Sequence, residues 1–276
     1  MKKLLITSAA LLALIGTPAL SADMALKAPP PAPAPVYSWT GFYIGADIGG
    51  AWENNSSVNW LPLPSPGAFG ANPTFGTMRG SSVIGGGHIG FDYQFSPVFV
   101  GGVEGDWEGT RAKSTVTMPW TLVGTATPVG PGAATTMSST LNWLASARAK
   151  AGVLVNPNLL AYVTGGAAWG EVNYAGATAC PPGPGSLCGA PGYTSATNFS
   201  HTSDGWVGGG GLEWAFTANW LARVQYLYYH LNSGQAVTVN SAAFPANPST
   251  FTWSRNNINV VTVGISYKFG GPVAAK

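Results

Sequence analysis

Residues Leu141–Val155 read Leu-Asn-Trp-Leu-Ala-Ser-Ala-Arg-Ala-Lys-Ala-Gly-Val-Leu-Val. From Trp143 onward every second side chain is apolar, and the positions between them include Arg148 and Lys150. Because side chains alternate between the two faces of a strand, one face is wholly apolar and the other carries two charges. A strand of a membrane barrel turns its apolar face to lipid and its polar face to the lumen. The stretch therefore predicts a membrane-spanning β-strand.

Seven more segments have the same alternation, and the connections between the eight alternate in length. The other segments are Phe42–Trp52, Val83–Phe95, Val98–Gly109, Leu159–Val172, Trp206–Phe216, Trp220–Leu231 and Ile258–Phe269. Tight turns are expected at 96–97, 156–157 and 217–219, and long loops at 53–82, 110–140, 173–205 and 232–257. Short turns on one rim and long loops on the other are typical of outer-membrane barrels. The predicted fold is all-β: an eight-stranded antiparallel up-and-down transmembrane β-barrel with four long extracellular loops.

Most charged residues of these segments follow the same parity. Ten of them lie opposite the bulky apolar residues of their strand: Asp47, Asp92, Glu104, Asp106, Glu108, Arg148, Lys150, Glu213, Arg223 and Lys268. A register error of one residue would place them in lipid, where a charge costs a few kcal/mol near the midplane. We therefore expect them to form a charge network in the lumen.

Counting residues from each turn predicts which of these charges meet. The expected lumen salt bridges join Glu104 and Asp106 to Arg148 and Lys150, and Glu213 to Arg223. An eight-stranded barrel is about wide enough for its own side chains to fill it. The sequence thus favours a mostly closed lumen, with a low-conductance porin for small solutes as the alternative.

The composition excludes other classes of protein. Only 8% of the 276 residues are charged and 46% are hydrophobic, which is unlike both disordered chains and water-soluble surfaces. The start of the chain, Lys2-Lys3 followed by the apolar run 4–15, is typical of a signal peptide at 1–22. Without Lys2 and Lys3, 10 of the 12 basic residues remain against 10 acidic ones. Zero net charge gives no bulk attraction to nucleic acid.

The remaining segments complete the expected domain organisation. Residues 23–40 form a Pro-rich segment, which favours an extended periplasmic spacer without a packed core. The barrel is expected over 41–269, and 270–276 form a short tail. Because the chain crosses the membrane an even number of times, both termini lie on the same side, which is the short-turn, periplasmic side.

Six motifs resemble one known family. They are Trp39–Gly45, Val103–Asp106, Thr164–Gly166, Gly211–Thr217, Gln225–Tyr229 and Val263–Phe269. The chain resembles the small outer-membrane β-barrel proteins of alphaproteobacteria, the porin family, which includes major surface proteins and haemin-binding members. The resemblance implies the outer membrane of a Gram-negative bacterium and a structural or surface role rather than an enzyme. It also implies outer-membrane lipid, lipopolysaccharide and the barrel-assembly machinery as partners, with Tyr267 and Phe269 as the assembly signal.

Isolated histidines leave a ligand hypothesis open. Since the resembling family includes haemin binders and His is a common iron ligand, His201 or His230 is a candidate haem ligand. The alternative is a polar residue at the rim, with no cofactor. Ser203 and Asp204 lie next to His201 in the sequence, but proximity in the chain is weak support for a catalytic triad. The glycines of 85–90 lie inside a strand, where a dinucleotide-binding turn is not expected.

Cysteine and tryptophan positions add two further expectations. Cys180 and Cys188 are the only cysteines, and in an exported chain they predict a disulfide within the third long loop rather than a metal site. Nine tryptophans lie near predicted strand ends and suggest interfacial aromatic girdles: Trp39, Trp52, Trp107, Trp120, Trp143, Trp169, Trp206, Trp220 and Trp253. Of these, Trp120 falls inside a long loop and does not fit the girdle.

Overall fold

Eight long strands form the wall of a barrel. A computed structural model describes residues 37–53, 56–62, 74–122, 127–188, 192–232, 234–240, 248–254 and 256–270. The expected signal peptide, most of the Pro-rich segment and the tail after residue 270 lie outside the described residues. The wall consists of β1 (Gly41–Glu53), β4 (Ser81–Gln94), β5 (Phe99–Pro119), β6 (Ala134–Asn156), β7 (Leu159–Cys180), β8 (Tyr193–Ala215), β9 (Trp220–Leu231) and β12 (Asn256–Lys268).

The wall closes on itself by antiparallel pairing. The strand order is β1-β12-β9-β8-β7-β6-β5-β4, and β4 pairs back onto β1. Each of the eight predicted segments corresponds to one of these strands, so the predicted eight-stranded antiparallel fold is confirmed. No helix among the described residues is long and apolar enough to cross a membrane.

The end of the barrel with the tight connections is here called the turn end. Ser96 Oγ accepts a hydrogen bond from the backbone N–H of Phe99 at 3.1 Å, and Asn156 Oδ1 accepts one from Asn158 at 2.9 Å. Thr217 Oγ1 accepts one from Trp220 at 3.0 Å. These side-chain contacts hold the chain in its reversals, as turn residues of these types do. The opposite end is called the loop end.

The outward face of the wall is apolar between the two ends. Val103, Val163 and Val263 are all more than half exposed, as are the aromatic residues Phe42 and Trp107 near the two edges of the band. Because none of the described residues covers these side chains, they match the lipid-facing band of an outer-membrane barrel.

Four strands run well beyond this band, and their polarity reverses there. In β5, the inward residues Ala112 and Met118 are buried, while the outward residues Arg111, Lys113 and Thr115 are exposed. Residues 110–140 and 173–205 are expected from the sequence to be loops, which is wrong for most of them, because β5, β6, β7 and β8 extend into these ranges. The pattern changed because a strand in water buries its apolar face inward, so lipid-based alternation no longer applies.

A second sheet lies at the loop end, where loops were also expected. Its order is β10 (Gln235–Val239), β11 (Ser249–Trp253), β2 (Ser56–Pro62) and β3 (Thr74–Met78). We call it the cap sheet. It packs inside the extended wall and shares one apolar core with it.

Aromatic side chains dominate that core. Trp60 of the cap sheet stacks on Trp120, with 4.4 Å between ring centroids and planes 9° apart. Trp120 Nε1 donates to Thr135 Oγ1 at 2.8 Å. Trp253 lies 5.3 Å from Tyr174 of the wall, centroid to centroid. Trp120 and Trp253 therefore belong to the core. The girdle interpretation is wrong for Trp253, and the structure gives Trp120, which did not fit the girdle, its place.

Candidate functional site in the barrel lumen

The charged residues of the eight strands come together inside the barrel. All ten residues of the predicted charge network are buried. They face the lumen because they share the parity of their strands' inward side chains, as the alternation required. Three cations, Arg148, Lys150 and Arg223, hold most of the carboxylates.

Arg148 of β6 contacts the acidic face of β5. It forms ion pairs with Glu104 and, at 3.1 Å between Nη2 and Oδ2, with Asp106. Glu104 and Arg148 are register partners on adjacent strands, which is the pairing that residue counting predicted. Ser146 also donates a hydrogen bond to Asp106.

Arg223 of β9 reaches across the lumen instead of pairing with its register partner Glu213. Its Nη1 lies 2.7 Å from Oε2 of Glu104, and its Nε lies 2.8 Å from Oδ1 of Asp47. Glu104 thus joins both arginines. The predicted bridge between Glu213 and Arg223 is wrong, because the longer reach of the guanidinium finds two carboxylates on the far side.

Glu213 forms its ion pair with Lys150 and not with Arg223. The Nζ of Lys150 lies 3.1 Å from Oε1 of Glu213 and 2.9 Å from Oδ2 of Asp92. The same ammonium lies over the rings of Tyr43 and Tyr162, at 4.8 and 5.1 Å from their centroids. Two carboxylates and two aromatic faces compensate for the water that this buried ammonium lacks.

Two lumen residues join the network without having been assigned to it from the sequence. His88 Nδ1 lies 2.6 Å from Oδ2 of Asp47, and its Nε2 lies 2.7 Å from the hydroxyl of Ser266. Tyr43 donates a hydrogen bond to Oε2 of Glu104 at 2.8 Å. The alternation of each strand predicts that both side chains face the lumen. It does not predict their contacts with Ser266 and Glu104, because these partners lie on strands that are not adjacent to their own.

Inward glycines let these partners meet across an intervening strand. Gly264 of β12 is the register partner of both Asp47 and Arg223, and a Cβ there would lie 2.0 Å from Oδ1 of Asp47. Gly45 stands likewise between His88 and Ser266. The same arrangement recurs at Gly90, between Tyr43 and Glu104, at Gly102, between Asp92 and Lys150, and at Gly211, between Tyr162 and Gln225. A side chain at the central position would fill the space through which the contact passes.

Two of the ten charged residues stand apart from these ion pairs. Both carboxylate oxygens of Glu108 are buried without a hydrogen-bond partner among the described residues. Lys268 lies near the turn end with its Nζ 5.3 Å from the ring centroid of Tyr37.

The chain preceding β1 fills the turn end of the barrel. Trp39 is fully buried, its Nε1 donates to the carbonyl oxygen of Pro157 at 3.1 Å, and its backbone N–H donates to Gln94 Oε1 at 3.2 Å. Tyr37 packs edge-on against Trp39, and burial raises the pKa of its phenol. The Trp39 indole is therefore a plug residue and not part of a girdle, contrary to expectation.

Comparison with known proteins agrees with this architecture. Residues 7–269 match the family described as outer membrane protein beta-barrel domain. The chain belongs to this outer-membrane β-barrel family. Its similarity to proteins of alphaproteobacteria confirms the resemblance inferred from the motifs.

Two curated relatives cover nearly the whole chain. The 31 kDa outer-membrane immunogenic protein of Brucella melitensis is 28% identical over 284 residues, covering 98% of this chain and 100% of the relative. The 25 kDa outer-membrane immunogenic protein of Brucella abortus is 27% identical over 276 residues, covering 98% and 99%. These relatives support the outer membrane of a Gram-negative bacterium as the location of this family member.

Solved barrels are more distant. OprG from Pseudomonas aeruginosa has a TM-score of 0.45 and 12% identity, covering 84% of this chain and 97% of that one. The outer membrane protease OmpT from Escherichia coli has a TM-score of 0.47 and 8% identity, covering 84% and 98%.

The candidate haem ligands of this barrel do not share a site. On β8, His201 has the inward parity of the buried Ser203, whereas on β9 His230 has the outward parity of Val224. His230 Nδ1 lies 2.7 Å from Oδ1 of Asn257. The described residues contain no group of three or more His, Cys, Asp or Glu able to hold a metal ion. Ser203 and Asp204 also face opposite sides of β8, which separates the residues of the weighed triad.

The remaining sequence-predicted sites lie at the two ends of the barrel. Cys180 and Cys188 form the expected disulfide, with Cα atoms 6.0 Å apart. Cys180 ends β7 rather than lying in a loop. Tyr267 and Phe269 point outward at the turn end, with ring centroids 5.2 Å apart, and their role as an assembly signal stays a prediction.

Proposed function

We propose that this protein is an integral outer-membrane protein with a structural or surface role, that its barrel is closed to solutes, and that it is not an enzyme. The turn end and both termini would face the periplasm, and the cap sheet would face the outside of the cell. Membership of the outer-membrane barrel family and the immunogenic outer-membrane relatives support this role.

One contact carries the closed-barrel proposal. Glu104 accepts Arg148 from the adjacent strand and Arg223 from the far side of the lumen, so ionic contacts extend across the bore. If these contacts opened, the carboxylate of Glu104 would be left as a buried charge without an ion-pair partner, at a cost of roughly 3–5 kcal/mol. Solute passage at the midplane would therefore require a costly rearrangement.

Two apolar blocks support the same proposal. Trp39 fills the turn end, and the stacked Trp60 and Trp120 belong to an apolar core at the loop end. A path through the barrel would have to open three layers of different chemistry. Closure by independent layers favours a structural role for the barrel and leaves the exposed cap and strand extensions as the part that meets other molecules.

The test is single-channel recording of the folded full chain in a planar bilayer. Folding is verified by the faster migration of the unheated sample in a denaturing gel. We expect electrical silence from wild type and from Glu171→Gln, an outward rim carboxylate that serves as a control. Steady, discrete openings of folded wild type would overturn the proposal.

A low-conductance porin is the second candidate, and one observation favours it. Glu108 and the Nε and Nη1 atoms of Arg148 are buried without hydrogen-bond partners in the part of the chain that the structure describes. Buried polar groups of this kind are normally hydrogen-bonded to water, so this layer of the lumen offers polar atoms that water molecules could bind. Openings abolished by Glu108→Leu would support this candidate. Haemin binding by His201 or His230 remains a hypothesis from the sequence, and opposite parities require each to act alone.

A further inference from the structure

Among the residues that the structure describes, basic side chains outside the lumen are confined to one part of the wall. The described residues contain seven Lys or Arg side chains, and four of them face the lumen: Arg148, Lys150, Arg223 and Lys268. The other three are Arg79, Arg111 and Lys113, and all are exposed. Arg111 and Lys113 lie on β5, and Arg79 directly precedes β4.

These three residues are close together because β4 and β5 remain adjacent beyond the lipid-facing band. Thr110 Oγ1 donates to the carbonyl oxygen of Val83 at 2.9 Å. A Cβ on Gly80 would lie 2.9 Å from the carbonyl oxygen of Lys113. The backbone at Arg79, the residue before Gly80, is therefore close to the backbone of Lys113. We call Arg79, Arg111 and Lys113 the basic patch.

The basic patch lies just beyond the lipid-facing band at the loop end. Trp107, 56% exposed, shares the outward face of β5 with Arg111 and Lys113. Arg111 is four residues further along, which is about 13 Å along a strand and about 9 Å along the normal of a strand tilted by ~45°. Because an interfacial tryptophan sits at the headgroup level, Arg111 lies at the outer edge of the headgroup layer. Long basic side chains also reach toward the interface while their stems stay on apolar surface.

Acidic residues on the outward wall occupy a different side. Glu171 lies on β7 and Asp204 on β8, where Asp204 is the register partner of Trp169. β6 separates these strands from β5. Neither carboxylate has an ion pair with the basic patch among the described residues. Within the described part of the chain, the outward wall at the rim thus has a positive side and a negative side.

We propose that the basic patch binds the phosphate groups of lipid A in the outer leaflet. Arg and Lys are suited to phosphate, Arg through paired hydrogen bonds and Lys as a point charge. The outward face below the patch supplies apolar contact for acyl chains, including Val83 and Trp107. The proposal rests on the orientation given under the proposed function, in which the loop end faces the outside.

The experiment measures lipid A bound to the folded full chain in detergent micelles by native mass spectrometry. Diphosphoryl lipid A is compared with the same lipid after removal of both phosphates. We expect wild type to prefer the phosphorylated form, and R111Q/K113Q to bind it about 25-fold more weakly, about fivefold for each charge removed. The matched control E171Q/D204N, which neutralises two rim carboxylates, keeps wild-type binding or exceeds it.

Three results would overturn the proposal. They are equal binding of both lipid forms by wild type, undiminished binding by R111Q/K113Q, and displacement of lipid A by an equal concentration of inorganic phosphate, which would point to a general anion site. Because all variants alter exposed side chains, gel mobility before and after heating verifies folding. Binding in micelles does not depend on orientation or on a closed lumen, so its outcome is separate from that of the conductance experiment.

Discussion

Arg223 of β9 donates two hydrogen bonds to Asp47 of β1 across the intervening strand β12, with Nε 2.8 Å from Oδ1 and Nη2 2.5 Å from Oδ2. The contact is possible because Gly264, which stands opposite both residues, has no side chain. Ionic contacts inside this barrel therefore link strands that are not hydrogen-bonded neighbours. Glycine is usually unfavourable inside a strand, but inward glycines such as Gly264 leave the space through which side chains of non-neighbouring strands make contact.

Gly264→Ala should destabilise the barrel. The added Cβ would lie 2.0 Å from Oδ1 of Asp47 and 2.9 Å from the carbonyl oxygen of Ala46, so Asp47 must move away from Arg223. Breaking a buried ion pair costs roughly 3–5 kcal/mol. Urea unfolding in detergent measures the loss. The control is Gly50→Ala on β1, where an added Cβ would meet nothing within 4 Å, and equal midpoints for both variants would contradict the expectation.

Arg148→Ala should loosen the barrel and raise its conductance above that of wild type. The change leaves Glu104 with Arg223 alone and removes the only ion pair of Asp106 among the described residues. We expect the unfolding free energy to fall by roughly 3–5 kcal/mol. Arg111→Ala, on the exposed outward face of β5, is the matched arginine control. Unchanged melting together with unchanged bilayer current would show that this layer does not hold the lumen closed.

Trp120→Ala should release the cap sheet while leaving the membrane-spanning wall intact. The substitution removes the stack on Trp60 and the hydrogen bond to Thr135, at a cost of roughly 3–5 kcal/mol for a buried tryptophan. Limited trypsin digestion reports this as faster cleavage after Arg79, which lies between β3 and β4. The lipid-facing Trp107→Ala is the control, and equal cleavage rates for the two variants would argue against a cap held by Trp120.

Reduction of the Cys180–Cys188 disulfide should act locally. The bridge closes a segment of sequence separation 8 at the end of β7, so its removal is expected to cost up to about 2–3 kcal/mol of local stability. Hydrogen exchange of Cys180→Ser/Cys188→Ser should rise over residues 178–188 and stay unchanged at Val163 in the lipid-facing band. Faster exchange throughout β7 would mean that the bridge stabilises the whole wall.

The wall of the barrel was predictable because lipid imposes a strict rule on each strand. Val163 and Val263 must face out, and Arg148 must face in, so period-two alternation alone located all eight membrane-spanning strands. The pairing of Glu104 with Arg148 was also predictable, because counting residues from the tight turns at 96–97 and 156–157 places the two at nearly the same height on adjacent strands.

The loop end was not predictable by the same rule. Beyond Trp107 the wall passes from lipid to water, the inward side chains become apolar, and the strands of the cap sheet are short segments within long connections. Trp120 illustrates the difference. Its burial depends on Trp60, which is distant in the chain and belongs to a sheet assembled from two connections of the barrel, one between β1 and β4 and the other between β9 and β12.

The sequence by itself determined the class of protein, the eight strands and the face on which each charge lies, since these follow from alternation within single strands. Only the tertiary structure decided which charges meet, that Arg223 leaves Glu213 for Asp47 and Glu104, and that Trp39 blocks the turn end. The physical reason is that side-chain reach across a closed barrel depends on curvature and on empty space above residues such as Gly264. Neither is encoded in the periodicity of one strand.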